Sequence, residues 1–194
     1  MANKFVKRII EITDYQTHIL EELRKGVVLT TSDAGRINAM AISWGMLGVE
    51  WNKPIFITFV RTGRFTHELL TKNPQFTVNI PQGKRPQDII SYLGRHSGRT
   101  EDKITALGLH TVESPNVNVC GIAELPLTLE CRVIYRQTQD IEGFICAGDI
   151  PDTMYPKSVD SSFYGNNRDL HTAFYGEIVG AYIIENEDLF LKFT

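Results

Sequence analysis

Cysteine is scarce in this chain, and the three that occur, Cys120, Cys131 and Cys146, form no C-x-x-C pair. That excludes a framework in which every thiol is bridged, and it excludes zinc or dithiol chemistry of that spacing. Long apolar runs are missing too. No stretch approaches the ~18 apolar residues of a membrane-spanning helix, and the opening "MANKFVKRIIEI" lacks the apolar core of a secretion signal. The expectation is a cytoplasmic protein in a reducing setting, neither exported nor embedded in a membrane. Charge of one sign is not in excess: 20 basic against 23 acidic residues leave a net charge of -3. No global field therefore recruits nucleic acid or an anionic bilayer, and any anion must be held by a local basic cluster. No G-x-G-x-x-G follows a strand, so a Rossmann nucleotide site is excluded. Repeats and Ser/Gly-rich linkers are absent as well, so residues 1–194 are expected to form one domain.

What is present reads as a compact, mainly β protein with a few short helices. A hydrophobic share of 42% and a charged share of 22% are ordinary for a soluble domain. Short β-rich runs cover residues 26–32, 37–43, 54–60, 75–81, 127–139 and 176–184. Most connections are too short for a parallel crossover, which predicts an antiparallel sheet, closed or partly closed into a barrel. "SDAGR" predicts a hairpin with Gly35 at positive φ. Helices are predicted at 66–72 with Thr66 as N-cap, at 86–93 with Gly94 beyond its end, and at 100–108 with Thr100 as N-cap and Gly108 as the left-handed stop. Residues 156–175 are the least regular and predict a long loop over a site or a partner, with Phe163, Tyr164, Phe174 and Tyr175 as contact candidates.

Alternation in "INAMAISW" places Ile37, Ala39, Ala41 and Ser43 on one face and Asn38, Met40, Ile42 and Trp44 on the other. Taken alone, Asn38 could simply satisfy the preceding turn and Trp44 could be core. Further on, "VRTGRFTHELL" sets Arg61 and Arg64 just before a helix that begins near Thr66 and His67. Free N–H groups at a helix start, joined by guanidinium groups and a hydroxyl, make a phosphate site; a solvated basic turn is the alternative. "SGRTEDK" adds Arg99 and Lys103. A lysine is unfavourable at a helix start, so Lys103 is expected to serve something else, unless it is a surface lysine paired with Glu101 or Asp102. His18, His96, His110 and His171 sit in no metal-like spacing, and the three thiols are expected to be inert.

The order N-x-x-x-x-S-W, R-x-x-R-x-T-H-E-L-L, "NPQFTVNIP" and S-G-R-x-x-D-K, running from about Gly26 to Gly180, resembles the flavoredoxin and flavin reductase-like family. That resemblance implies an antiparallel Greek-key split β-barrel of the FMN-binding type, paired into a homodimer that holds FMN noncovalently near the subunit interface. It assigns Asn38, the backbone of Ala39, Met40 and Ala41, Ser43 and Trp44 to the flavin, and Arg61, Arg64, Thr66 and Lys103 to its phosphate or ribityl chain. A strand backbone flanked by Met40 and Trp44 can offer the amide groups and apolar wall that a flavin ring needs.

The activity implied is an oxidoreductase taking electrons from NADH or NADPH and passing them to free flavin or a redox partner protein. Two alternatives are a flavoredoxin-type electron-transfer protein without efficient NAD(P)H oxidation and a non-catalytic flavin-binding protein. Two departures from the family pattern bear on this. Ala41 stands where many members have Thr, and Gly143 in "EGFICAGDI" stands at the position expected for a histidine that opens the late strand ending in G-E-V. The second departure weighs against nicotinamide oxidation more than against FMN binding.

Overall fold

The computed structural model describes residues 5–159 and 167–186. In chain order, β1 (Phe5–Ile9) leads to α1 (Gln16–Lys25), then to β2 (Val27–Asp33), β3 (Arg36–Ile42), β4 (Gly45–Glu50) and β5 (Lys53–Arg61). Next come α2 (Phe65–Lys72), β6 (Gln75–Ile80), α3 (Gln87–Arg95), α4 (Lys103–Leu107) and the two-residue strands β7 (Thr111–Val112) and β8 (Gly121–Ile122). The long strand β9 (Leu127–Thr138), α5 (Ile150–Met154) and β10 (His171–Asn186) complete the described chain.

Every ladder is antiparallel, as the short connections require. The main sheet runs β3-β2-β6-β9-β10-β5-β4. At 16 residues, β10 serves two partners along one edge, β5 up to Glu177 and β1 from Tyr182 onward, with β9 along the other. The path has two ends, and among the described residues no ladder joins β3 to β4. The barrel is therefore split, with no closure by hydrogen bonds. Helix α1, which few apolar positions announce, packs Ile19 and Leu23 into the main core beside Phe56 and Val27. It ends at Gly26, whose φ of 104° turns the chain into β2.

Two apolar layers explain why β2 reads "VVLTTSD" without alternation. Val27 and Leu29 join the main core, while Val28 faces a second cluster with Ala39, Ile90 and Leu93 under α3. A strand covered on both faces needs no polar side. The expected hairpin joins β2 and β3, with Gly35 at φ 81° as expected; its loop has two residues, and Ala34 too is at positive φ, 46°.

Several boundaries differ from the sequence reading. Arg64, not Thr66, precedes α2, and Thr66 lies inside its first turn. Gly94 lies within α3, where its missing Cβ lets Ala41 approach. Asp102 caps α4 by accepting from the N–H groups of Ile104 and Thr105, whereas Gly108 stops it at φ 61° as expected. Strand β10 begins at His171, so residues 171–175 are not loop. Phe174 is fully buried in the subunit's own core, while Phe163 and Tyr164 lie outside the described residues.

The β9–β10 ladder shifts register beside Gly176, which opposes Val133. A Cβ there would stand 2.5 Å from the Phe76 ring and 2.9 Å from Cys131 Cβ. Gly176→Ala is expected to destabilise the fold by ~1–3 kcal/mol in urea denaturation, through overpacking. Gly48→Ala, with nothing within 4 Å of its Cβ position, is expected to leave the midpoint nearly unchanged.

Candidate functional site

As the end of the sheet, β3 pairs with β2 on one side only, so every second residue directs its N–H and C=O away from the ladder. Two adjoining cavities lie against this strand and share Met40, Ala41, Arg64 and Asn167. The first, about 350 Å³, is walled by Ser43, Trp44, Phe59 and His171 and is called here the ring cavity. The second, about 550 Å³, is bounded by Thr66 on α2, Arg95 and His96 at the end of α3, Ser97 and Gly98 in the following turn, and Lys103 on α4. It is the basic cavity.

The sequence-assigned residues divide between the two. Asn38 lies in the basic cavity and Trp44 in the ring cavity, with Met40 and Ala41 between them, so the strand runs along both. Ala39 lines neither and packs into the second core cluster. Asn38 is almost fully buried, its Nδ2 donates to Thr66 Oγ1 at 2.9 Å, and its Oδ1 has no partner among the described residues. A Cβ on residue 98 would overlap that oxygen, so only glycine lets the turn come this close. The Thr66 hydroxyl thus holds the asparagine in place.

The basic residues play different parts. Arg61 is spent on the chain itself, donating to the carbonyls of Met154, Asn167 and Asp169 at 3.0, 2.8 and 2.7 Å. Its guanidinium also lies 5.2 Å from the Tyr155 ring centre and 6.0 Å from that of Trp44. It therefore ties Met154, Asn167 and Asp169 together beside the ring cavity, which it also lines. Arg64 lines both cavities, and among the described residues its side chain donates to Asn167 Oδ1, at 3.2 Å. Lys103 is not a surface lysine: it is 4% exposed, and Nζ donates to the carbonyls of Leu93 and His96, both at 3.1 Å. It ties down the end of α3 and keeps a third N–H in hand.

Neither Arg64 nor Lys103 forms an ion pair among the described residues. Burial lowers the pKa of Arg64 against the opposing charge of Asp169, and it lowers that of Lys103 to about 8 against the opposing charge of Glu101, with the charge of Arg64 adding to the fall. Positive charge with no ion-pair partner among the described residues, half-buried at Arg64 and buried at Lys103, beside the start of α2, fits a phosphate ester. His67 has no such part, since its Nε2 meets Thr172 Oγ1 at 2.9 Å behind the site.

The histidine missing from the sequence reading is His171. Gly143 ends a single helical turn and opens no strand. It is His171 that opens β10, in "HTAFYGEI", five residues ahead of Gly176 and Glu177. Its ring centre lies 4.9 Å from that of Trp44, and it lines the ring cavity. The spacing from His171 to Gly-Glu was the available signal; the mixed stretch "SSFYGNNRDL" before it showed no alternation to mark the strand's start.

Residues 20–193 match the model of the family described as flavin reductase like domain. An uncharacterised protein of Archaeoglobus fulgidus is 30% identical over 106 residues, which span 55% of this chain and 59% of that relative's length. Among solved structures, the flavoredoxin of Desulfovibrio vulgaris (Miyazaki F) superposes with a TM-score of 0.59 at 22% identity, over 84% of this chain and 70% of that one. An FMN-binding protein from Thermus thermophilus, with 1-cyclohex-2-enone bound, gives 0.57 at 21% identity, over 84% and 70%. These neighbours share the split-barrel fold.

His171 is 5% exposed, and burial, with the charges of Arg61 and Arg64, lowers its pKa to about 4. The unfolded chain takes up a proton near pH 6.5, whereas the folded one resists until about 4. The stability linked to this residue is therefore complete above pH 6.5 and is lost as pH falls toward 4, by up to about 3 kcal/mol. Urea denaturation from pH 8 to 4 is expected to show a steeper acid loss for wild type than for His171→Gln; parallel curves would contradict the assignment.

Proposed function

The chain belongs to the flavin reductase-like family, and from that premise we propose that it is a flavin-binding oxidoreductase that holds FMN noncovalently and accepts electrons from NADH or NADPH. The observation that carries this reading is the half-buried Arg64 and the buried Lys103, neither in an ion pair among the described residues, beside a cavity walled by Met40, Trp44 and Phe59 along the outer edge of β3. Arg64, the α2 start and the spare N–H of Lys103 would hold the phosphate. The outward amide groups of β3 would meet the polar edge of the ring, against Met40 and Trp44. When bound, the flavin supplies the capacity to accept a hydride and release electrons. The chain's own residues bind, orient and shield it.

The electron-carrier alternative drew its support from the absence of a histidine near the ring. His171 in the ring cavity removes that support, since an imidazole stands beside Trp44 where a second planar group would stack. The electrons are proposed to go on to free flavin or a redox partner protein.

A homodimer is also proposed, with a different face from residues 156–175. Trp51 stands 53% exposed at the tip of the β4–β5 hairpin, at φ 53°, a strained conformation for a bulky residue. Its ring lies 6.0 Å from that of Tyr135 and 6.1 Å from that of Tyr175, with Met46 and Val49 exposed on the same strand. Such an apolar edge is what a second copy would cover. Light scattering at micromolar concentration is expected to give twice the chain mass, and a monomer with flavin bound would refute the dimer.

Anaerobic stopped-flow mixing of the FMN-loaded protein with millimolar NADH or NADPH is expected to bleach the flavin band within seconds. A band stable for minutes, yet bleached at once by dithionite, would defeat the nicotinamide donor and leave flavin binding intact.

A further inference from the structure

Behind His171 lies a short polar relay that the binding site does not use directly. Tyr155 is 7% exposed, with its ring packed near Phe144 and under the Arg61 guanidinium. Its hydroxyl donates to Gln139 Oε1 at 2.7 Å and lies 2.9 Å from His171 Nδ1. A second tie locks the geometry, since the backbone N–H of Gln139 donates to the carbonyl of His171 at 2.8 Å.

Proton counting sets the direction of the relay. A phenol has one hydrogen, and the carbonyl oxygen of Gln139 can only accept. With that hydrogen given to Gln139, the hydroxyl can serve His171 only as acceptor, so Nδ1 must carry a proton. Burial and the guanidinium groups of Arg61 and Arg64, which face the ring, keep the imidazole neutral. The neutral ring has a single N–H, which Nδ1 has taken. Nε2 is left with a lone pair and has no partner among the described residues, while the ring forms part of the cavity wall next to Trp44.

We propose that Gln139 and Tyr155 fix His171 in its Nδ1–H tautomer, so that Nε2 offers the ring cavity a hydrogen-bond acceptor and selects a planar substrate that presents an amide N–H there. The ligand class is a neutral aromatic carboxamide, which adds a specificity element to the donor reading above and rests on it. Gln139 and Tyr155 act as positioning residues. A methyl ketone in place of the carboxamide keeps the carbonyl and the shape but has no N–H to give.

The tautomer can be read with no substrate present. Long-range ¹H–¹⁵N correlation spectra of the FMN-loaded protein, with His171→Gln to assign the signals, are expected to show Nδ1 protonated and Nε2 bare in wild type. Gln139→Leu removes the acceptor, turns the Tyr155 hydrogen toward Nδ1 and is expected to move the ring proton to Nε2. Gln139→Glu restores an acceptor and is expected to restore the wild-type pattern. Tyr155→Phe keeps the packed ring and is expected to give a mixture. An Nε2–H tautomer in wild type, or no change in Gln139→Leu and Tyr155→Phe, overturns the proposal. For selectivity, the reduced 3-acetylpyridine analogue of NADH is expected to bind wild type ~5–30-fold more weakly than NADH, with the preference lost in Gln139→Leu. Equal affinities in wild type refute the selection. If neither dinucleotide binds, the donor reading fails and with it the selection, while the spectra still decide the tautomer.

Discussion

Arg64 and Lys103 bring positive charge into a region that water reaches poorly, and among the described residues no carboxylate pairs with either of them. Desolvating a cation is costly, and the lowered pKa values of both groups express a cost that Asp169 and Glu101 offset only in part. A fold tolerates such an arrangement when an anion relieves it, and the start of α2 points to the same kind of ligand. The neighbouring structure keeps these charges in place. Two carbonyls at the end of α3 hold Lys103, and Asn167, on the loop that Arg61 clamps, holds Arg64.

The sheet supplies the other half of the site by leaving an edge unpaired. Exposed edges invite unwanted pairing, and here α3 and the Ser97–Gly98 turn crowd β3 while two cavities keep its outer side accessible. The absence of a side chain at Gly98 is what lets the turn meet Asn38, and the asparagine in turn is steadied by Thr66. Residues 38 to 103 thus act as one unit, in which a strand edge, a helix start and a helix end converge on one elongated space.

Much of this was legible in the sequence because its signals were local. The β-branched runs, the Ala34–Gly35 turn and the left-handed stop at Gly108 follow from short-range chemistry, and the ordered motifs placed Asn38, Met40, Trp44 and Arg64 at the site. What was missed lay where tertiary contact decides. Helix α1 shows only Ile19, Leu20 and Leu23 as apolar positions, and β4 carries two glycines, so neither declares its pattern. Lys103 was expected to serve something other than the surface, but nothing in "SGRTEDK" reveals that the end of α3 lies over its ammonium. Arg61 lines the ring cavity as its motif suggested, but the sequence does not show that the carbonyls of Met154, Asn167 and Asp169 also engage it. His171 was passed over because the strand was read only from residue 176 onward, and the family histidine was sought too early, at Gly143.

The central claim is that Arg64 and Lys103 serve to hold a phosphate at the end of a flavin-sized site. The most direct measurement is the ratio of dissociation constants for riboflavin and FMN, which differ only in that phosphate, in wild type and in Arg64→Ala. The account predicts that wild type binds FMN tighter by a factor of ~10–150, with much of that advantage lost in the variant while riboflavin affinity hardly changes. Equal affinity for the two ligands in wild type, or no FMN binding up to millimolar concentration, would contradict it.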